Sequence, residues 1–309
     1  MLAQKRNMDN HRRKLILGTV QLGLPYGIAN TTGQPSQEVA DEIVRVAWEG
    51  GVRTFDTAQG YGESEAVLGR SFRRWNLAND AQIISKLSPV LKPKDSHELE
   101  ASVRQSLANL GVASLAVLMF HREEHLSLLD GAVGHVLRQL RCKGLFHSFG
   151  VSVYTPAAAL AALNHADVDV VQLPASVFDR RFEADGVFDL AERLGKTIHI
   201  RSALLQGVLC MAPDTLPERL ASLASTLQNF HGVCARFGVA PAPAALGWLL
   251  QRHPKAYVLF GAETSEQVNI NLDLPVAGEH FLCELCSELE SCFPPQLSEL
   301  LNPSLWKLK

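Results

Sequence analysis

Short continuous apolar runs alternate along the chain with longer segments whose apolar residues recur every three to four positions. The first run is KLIL (residues 14–17), followed by the loop GTVQLGLPYG. From Ser36 onward Val39, Ala40, Ile43, Val44 and Ala47 share a helical face, and Gly50-Gly51 supplies the stop. VRTFD (52–56) reads as the second strand. A helix then opens at Glu63, with Ala66, Val67 and Leu68 on its apolar side, and ends near Phe72. QIIS (82–85) is the third strand and ends at Lys86. Its helix, 96–110, carries Leu99, Val103, Leu107 and Leu110 in register and closes at Gly111. LAVLMF (115–120) is the fourth strand and ends at His121. The pattern continues as helix 126–140, strand 148–153, an Ala-rich helix begun by Pro156, strand 168–173, helix 187–194, strand 197–200, helical segments 217–237 and 243–252, strand 256–260 and the segment GAETSEQVNINL. Residues 279–292 add a terminal helix.

That is eight apolar strands, each followed by helix. Strands that read as runs rather than alternations are covered on both faces, as in parallel sheets. Eight such units close most simply into a (β/α)8 TIM barrel with extra C-terminal helices. An open doubly wound sheet calls for a GxGxxG turn after an early strand, and the sequence has none. No linker or low-complexity segment divides the chain. The expectation is one domain over residues 1–309, with 1–13 as a flexible leader.

Composition narrows the class. The chain is 47% apolar and 20% charged, as in ordinary soluble proteins. A net charge of −3 offers no basic surface for nucleic acid. The polar, basic start lacks the apolar core of a secretion signal, and no run is long enough for a membrane span, so the expected location is cytoplasmic. The six cysteines show no framework of paired spacings, which fits a reduced compartment. Cys283, Cys286 and Cys292 fall in FLCELCSELESC at helical spacing, without a second CxxC or a histidine pair. They read as packed helix cysteines rather than zinc ligands.

The chemistry concentrates in VRTFDTAQGYGESEAVLG (52–69). Asp56 ends a strand, Tyr61 lies between Gly60 and Gly62, and a helix starts at once. Lys86 and His121 end the next two strands, so in a barrel all four border one rim. An ammonium beside a phenol favours the phenolate and lowers a pKa that is ordinarily about 10. Lys86 can supply that charge, Asp56 can hold Lys86, and His121 can orient a substrate oxygen. The set is a tuned proton donor beside a carbonyl. Each residue alone has an ordinary reading: Asp56 as a turn cap, Lys86 as an ion-pair partner, His121 as a packing residue. The HREEH segment, with His121 and His125, lacks both a third ligand and the HExxH order for a metal.

With these residues in view, the chain resembles the aldo-keto reductase family. The likeness runs from LILGTVQLG to GAETSEQVNIN and is carried by FDTAQGYGESEAVLG, by SK at 85–86 and by FH at 120–121. It implies a (β/α)8 barrel and reversible NAD(P)H-dependent reduction of an aldehyde or ketone. The implied tetrad is Asp56, Tyr61, Lys86 and His121, with Tyr61 as general acid. The resemblance also implies cofactor contacts. Gly18 and Thr19 would lie beside the nicotinamide, and Ser152 and Gln172 on its carboxamide. Ser202, Leu204, Gln206 and Gly207 would wrap the pyrophosphate, with Gln267 and Asn271 at the adenine.

Three positions depart from the family pattern. Val153 replaces the Asn of GVSN. Arg201 stands where an aromatic ring usually stacks on nicotinamide, a task a planar guanidinium can share. Glu263 stands where relatives preferring NADPH often carry Lys or Arg; a carboxylate there repels a 2′-phosphate and can accept a ribose hydroxyl, which points toward NADH, or it only favours the next helix N-terminus. Walls of a carbonyl-substrate pocket are expected from Leu24, Pro25 and Tyr26, from Arg122, and from Phe178, Arg180 and Arg181. Arg122 could attract an anionic substrate, but its place beside Glu123 and Glu124 favours a surface pair. Two other classes remain: a regulatory module that binds cofactor without efficient turnover, and a Schiff-base lyase or isomerase using Lys86.

Overall fold

In a computed structural model the chain is described over residues 11–92, 97–275 and 279–291. Eight strands form the centre: β1 (Leu15–Gly18), β2 (Thr54–Asp56), β3 (Gln82–Lys86), β4 (Leu115–Phe120), β5 (Phe146–Ser152), β6 (Val170–Pro174), β7 (Thr197–Arg201) and β8 (Tyr257–Gly261). Each pairs in parallel with the next, and β8 pairs with β1, so the sheet closes into a barrel. The longer helices are α1 (Gln37–Glu49), α2 (Ser64–Trp75), α3 (Leu99–Leu110), α4 (Ala132–Cys142), α5 (Pro156–Asn164), α6 (Val187–Leu194), α7 (Ala224–Arg236), α8 (Pro241–Arg252), α9 (Ser265–Leu272) and α10 (Glu279–Ser291). This is the expected (β/α)8 barrel with additional C-terminal helix.

Period-two alternation explains both the apolar runs and the site. Ile16, Ile84, Val117, Met119, Val170 and Leu259 form one cluster inside the barrel. Their neighbours Leu15, Leu17, Ile83, Leu118, Phe120 and Val171 belong to the larger core beneath the helices. Adding two residues to an inward position gives another inward position. Ile16 therefore leads to Gly18, Ile84 to Lys86, Met119 to His121, Val170 to Gln172, and Leu259 to Gly261. The inner wall changes from apolar to polar at the carboxyl ends of the strands.

Several local expectations change. The segment 126–140 is not one helix: Glu123–Asp130 is 3-10 and α4 begins only after Gly131, which is extended at φ −114°, ψ −158°. Its turns are held close to α4, since a Cβ on Gly134 would stand 1.9 Å from the Leu129 oxygen. The segment 217–237 likewise splits into a 3-10 turn, Glu218–Leu223, and α7. The helix expected from 243 starts at Pro241. Helix α2 runs past Phe72 to Trp75, where Asn76 takes a left-handed conformation. Val39, assigned to the buried face of α1, is 40% exposed. Of the proposed flexible leader, residues 11–13 are helical, with Arg12 Nε donating to the Leu272 oxygen at 3.2 Å. Residues 1–10 and Cys292 lie outside the described residues, as does Ser96. Cys286 is buried in α10 and Cys283 exposed.

Helices α2 and α3 meet at Gly69, where a Cβ would stand 2.1 Å from the Asn109 oxygen. Alanine normally stabilises a helix over glycine by about 1 kcal/mol. Here Gly69→Ala is expected to cost roughly 1–3 kcal/mol through overpacking. A urea midpoint equal to or above that of the wild type would refute this packing.

Candidate active site

The floor of the site is a buried ion pair. Asp56 is 2% exposed and Lys86 1%. Lys86 Nζ donates to Asp56 Oδ1, to the Thr57 carbonyl at 3.1 Å and to the Tyr61 hydroxyl at 3.3 Å. Gln172 Nε2 donates to Asp56 Oδ2 at 2.8 Å. Both carboxylate oxygens are thus satisfied, which a buried pair needs to offset desolvation. The four residues named from the sequence as one set are brought together.

The loop that carries Tyr61 is tied down locally. Thr57 Oγ1 donates to Ser64 Oγ at 2.9 Å, and Ser64 Oγ donates to the Thr19 oxygen at 2.7 Å. A Cβ on Gly23 would meet the Tyr61 oxygen at 1.9 Å, so only glycine admits this approach. The Tyr61 ring stands edge-on to the His121 ring, centroids 5.4 Å apart.

Burial, then the Asp56 carboxylate, pushes the Tyr61 phenol above its ordinary pKa, with Arg201 acting the other way. This differs from the sequence expectation of a phenol lowered by Lys86. The ammonium is already neutralised by Asp56, so little net charge remains to offset desolvation. Burial also lowers Lys86, and Asp56 opposes that shift. His121 is lowered to about 3 by burial, then by Lys86, Arg201 and Arg122, and is neutral near pH 7. The arrangement is a protonated phenol and a neutral imidazole above a buried ammonium. Such a phenol can give up its proton to an oxygen that is gaining negative charge, with Lys86 at hand for the phenolate left behind.

A cleft of about 400 Å³ extends from this point. Its walls include Tyr61, His121, Ser152, Gln172, Arg201, Glu263, Gln267 and Asn271. Gly18, Ser202, Leu204, Gln206, Gly207 and Tyr26 also line it. The Ser152 hydroxyl has no hydrogen-bond partner among the described residues, and neither has the Glu263 carboxylate, whose pKa burial raises.

Some expected contacts are committed elsewhere. The Thr19 hydroxyl donates to the Asp56 oxygen at 2.9 Å and meets Ser64 Oγ at 2.8 Å, so it braces β1 against β2. Gln267 Oε1 accepts the Glu263 N–H at 2.7 Å, and Asn271 Nδ2 donates to the Gly261 oxygen at 3.3 Å. These two amides shape the loop after β8. Arg122 is exposed, is absent from the cleft wall, and forms no ion pair with Glu123 or Glu124 among the described residues. Glu123 instead accepts the backbone N–H groups of Tyr154 at 2.6 Å and Thr155 at 3.1 Å. Phe178, Arg180 and Arg181 also lie off the cleft: Arg181 clamps Asp179, and Arg180 donates to the Glu290 oxygen at 3.3 Å.

The Arg201 guanidinium covers the Tyr154 ring at 4.1 Å, and its Nη2 donates to the Val153 oxygen at 2.9 Å. Tyr154, Gln21, Cys210 and Ile270 line the cleft without having been singled out in the sequence. Tyr154 directly follows Val153, and that adjacency was the available signal. The loop after β7 is strained, with left-handed Ser202 (φ 59°), Leu205 (φ 48°) and Gln206 (φ 55°). It reaches the loop after β1, where Gln206 Nε2 donates to the Tyr26 hydroxyl at 3.3 Å.

The sequence profile of the Aldo/keto reductase family matches residues 14–276. An NADH-specific methylglyoxal reductase of Escherichia coli K12 is 23% identical, over 89% of this chain and 94% of its own. A pyridoxine 4-dehydrogenase of the same organism is 26% identical, over 90% and 93%. The solved holo form of an aldo-keto reductase from Bacillus halodurans superposes with a TM-score of 0.71 at 18% identity, over 90% of this chain and 91% of that one. Among the described residues no single helix is long and apolar enough to cross a membrane.

His199, 5% exposed inside β7, has an Nδ1 without a partner and a pKa lowered to about 3 by burial and by Lys86. Between that value and the ordinary 6.5, the unfolded chain binds a proton that the folded chain refuses. His121 acts in the same sense. Stability is therefore complete above about pH 6.5 and falls as pH drops below it, by up to about 1.4 kcal/mol per pH unit per histidine. His199→Gln is expected to flatten the slope of unfolding free energy between pH 6 and 4.5. An unchanged slope in urea titrations across that window would refute the assignment.

Proposed function

The chain belongs to the aldo/keto reductase family, and from that premise we propose that it reduces an aldehyde or ketone to an alcohol with NAD(P)H, Tyr61 supplying the proton. The observation that carries this reading is Lys86, buried and donating to both Asp56 and the Tyr61 hydroxyl. A nicotinamide cofactor fits the donor set: the unpartnered Ser152 hydroxyl faces the cleft, and the Gln172 amide keeps its oxygen and a second N–H after donating to Asp56.

When bound, the cofactor supplies a hydride to the carbonyl carbon. The remaining work falls to the chain. His121, neutral, orients the carbonyl oxygen. Tyr61 protonates that oxygen as it gains charge, Lys86 stabilises the resulting phenolate, and Asp56 keeps Lys86 charged and fixed. Ser152 and Gln172 hold the carboxamide, with Gly18, Thr19 and Arg201 bordering that half of the cleft. Ser202, Leu204, Gln206 and Gly207 wrap the pyrophosphate, and Gln267 and Asn271 border the adenine. Tyr26 and His121 form substrate walls, and the whole chain acts as one barrel domain.

Glu263 supports NADH over NADPH. Its half-buried carboxylate has no partner among the described residues and faces the cleft. It can accept a ribose hydroxyl and would repel a 2′-phosphate. The NADH-specific relative agrees with this preference by its name.

Tyr61→Phe is expected to lower kcat by roughly 10²- to 10⁴-fold with cofactor affinity retained. Steady-state kinetics on a carbonyl panel and fluorescence titration test this; full activity in the variant would overturn the role of Tyr61. Titration of wild type and Glu263→Arg with NADH and NADPH is expected to show NADH preferred in the first and a swing toward NADPH in the second. Because burial raises the Glu263 pKa, NADH affinity should weaken as pH falls through it. Failure of both cofactors to bind at millimolar concentration would remove the reductase reading.

A further inference from the structure

The residues suited to a carboxamide are neighbours of a fixed cation. Ser152 on β5 pairs with Gln172 on β6, and β6 runs beside β7, where Arg201 pairs with Pro174. The side chains of Ser152, Gln172 and Arg201 all line the cleft. Adjacent strands stand about 4.8 Å apart. The carboxamide of a nicotinamide is bonded directly to its ring, so a cofactor held by Ser152 and Gln172 keeps that ring beside the guanidinium. The ring changes charge in the reaction. It is neutral when reduced and carries a positive charge when oxidised.

The charge of Arg201 is neither paired nor free to withdraw. No carboxylate lies within ion-pair distance of it among the described residues. Its Nε is buried without a hydrogen-bond partner among those residues, and Nη1 meets Ser202 Oγ at 3.4 Å. Tyr154 supports one face of the guanidinium at 4.1 Å, and the Val153 oxygen accepts from Nη2 at 2.9 Å. Glu123 in turn holds the Tyr154 backbone N–H at 2.6 Å. The charge reaches Tyr26, Tyr61, Lys86 and His121. At Tyr61 the Asp56 carboxylate outweighs it. Asp56, however, has both its oxygens engaged, by Lys86 and by Gln172, whereas Arg201 has no opposite charge to offset it. A guanidinium held in this way cannot swing aside when the ring beside it becomes positive.

We propose that Arg201 is a specificity-determining residue that selects the redox state of the cofactor, favouring the neutral reduced nicotinamide and disfavouring the cationic oxidised one. The proposal rests on the reductase reading above. A protein built this way stays loaded with NADH where the oxidised form is in excess and sheds NAD+ once the carbonyl is reduced, so its working direction is reduction. Tighter binding of the reduced form also raises the potential of the bound couple, by about 30 mV for each tenfold difference in affinity. The charge therefore serves cofactor exchange rather than the hydride step.

The experiment measures dissociation constants by calorimetry for NADH, NAD+ and ADP-ribose, which has the same pyrophosphate but no nicotinamide, in wild type, Arg201→Gln and Arg201→Lys. The readout is the ratio of the NAD+ constant to the NADH constant. The wild type is expected to bind NADH more tightly. Arg201→Gln should lower the ratio roughly 10- to 100-fold, as a unit charge about 6–12 Å away does in a half-buried site, and Arg201→Lys should keep part of it. ADP-ribose should bind all three proteins alike. Where Arg201→Gln does not fold, the wild type decides by itself: its ratio should fall as ionic strength rises, and a ratio indifferent to salt overturns the proposal. A wild-type ratio of one or less, or a ratio that Arg201→Gln does not move, also overturns it. So does an equal loss for all three ligands, which would assign the guanidinium to the pyrophosphate. If both dinucleotides bind and their ratio ignores Arg201, this proposal alone falls. If neither binds at millimolar concentration, the reductase reading falls and takes the proposal with it.

Discussion

The ion pair of Lys86 and Asp56 is the constraint on which the site depends. Each charge alone would cost several kcal/mol to bury, and geometry must offset both. The compensation comes from β2, β3, the loop after β2, and Gln172 on β6, which is 116 residues from Asp56 in sequence. These groups meet only when the barrel closes. Closure and charge satisfaction are thus one event, and Tyr61 is set above a pair whose net charge is near zero. Burial then keeps its proton in place.

The cleft beyond that pair carries two charged side chains, Arg201 and Glu263, each without an ion partner among the described residues. The strained loop of Ser202, Leu205 and Gln206 also borders it, and its left-handed backbone is held by contact with the loop after β1. Strain of this kind persists where surrounding contacts over-determine it. Here those contacts include the Gln206 amide on the Tyr26 hydroxyl and the close approach of Gly207 to Ala29. The two loops therefore constrain each other, and the width of the cleft follows from their pairing.

Neighbouring segments differ in how well their pattern predicted them. LAVLMF matched β4 at both ends, because six apolar residues between polar neighbours have one way to be covered on both faces. The helix expected over 126–140 broke at Gly131, because helical spacing cannot register that a 3-10 turn must pack on Gly134. Val39 kept the helical period of α1 but lay beyond the reach of its neighbours. Arg122 illustrates the same limit for function. It follows His121 directly, yet the alternation that sends His121 inward leaves Arg122 outside.

What the sequence alone determined was therefore local and periodic. The eight strands follow from short apolar runs set between segments of period 3.6, and those runs put Asp56, Lys86 and His121 at consecutive strand ends, whereas Tyr61, in the loop after β2, was named from the motif FDTAQGYGESEAVLG. The tertiary structure decided everything that depends on which distant groups share a partner. It spent the Thr19 hydroxyl on Ser64 and the Gln267 amide on the Glu263 backbone, set Tyr154 under Arg201, and raised the Tyr61 pKa where the residue types suggested a fall. Spacing in a chain carries the direction of a side chain, but not its solvation or its neighbours' charge, and those arise only when the barrel excludes water from its rim.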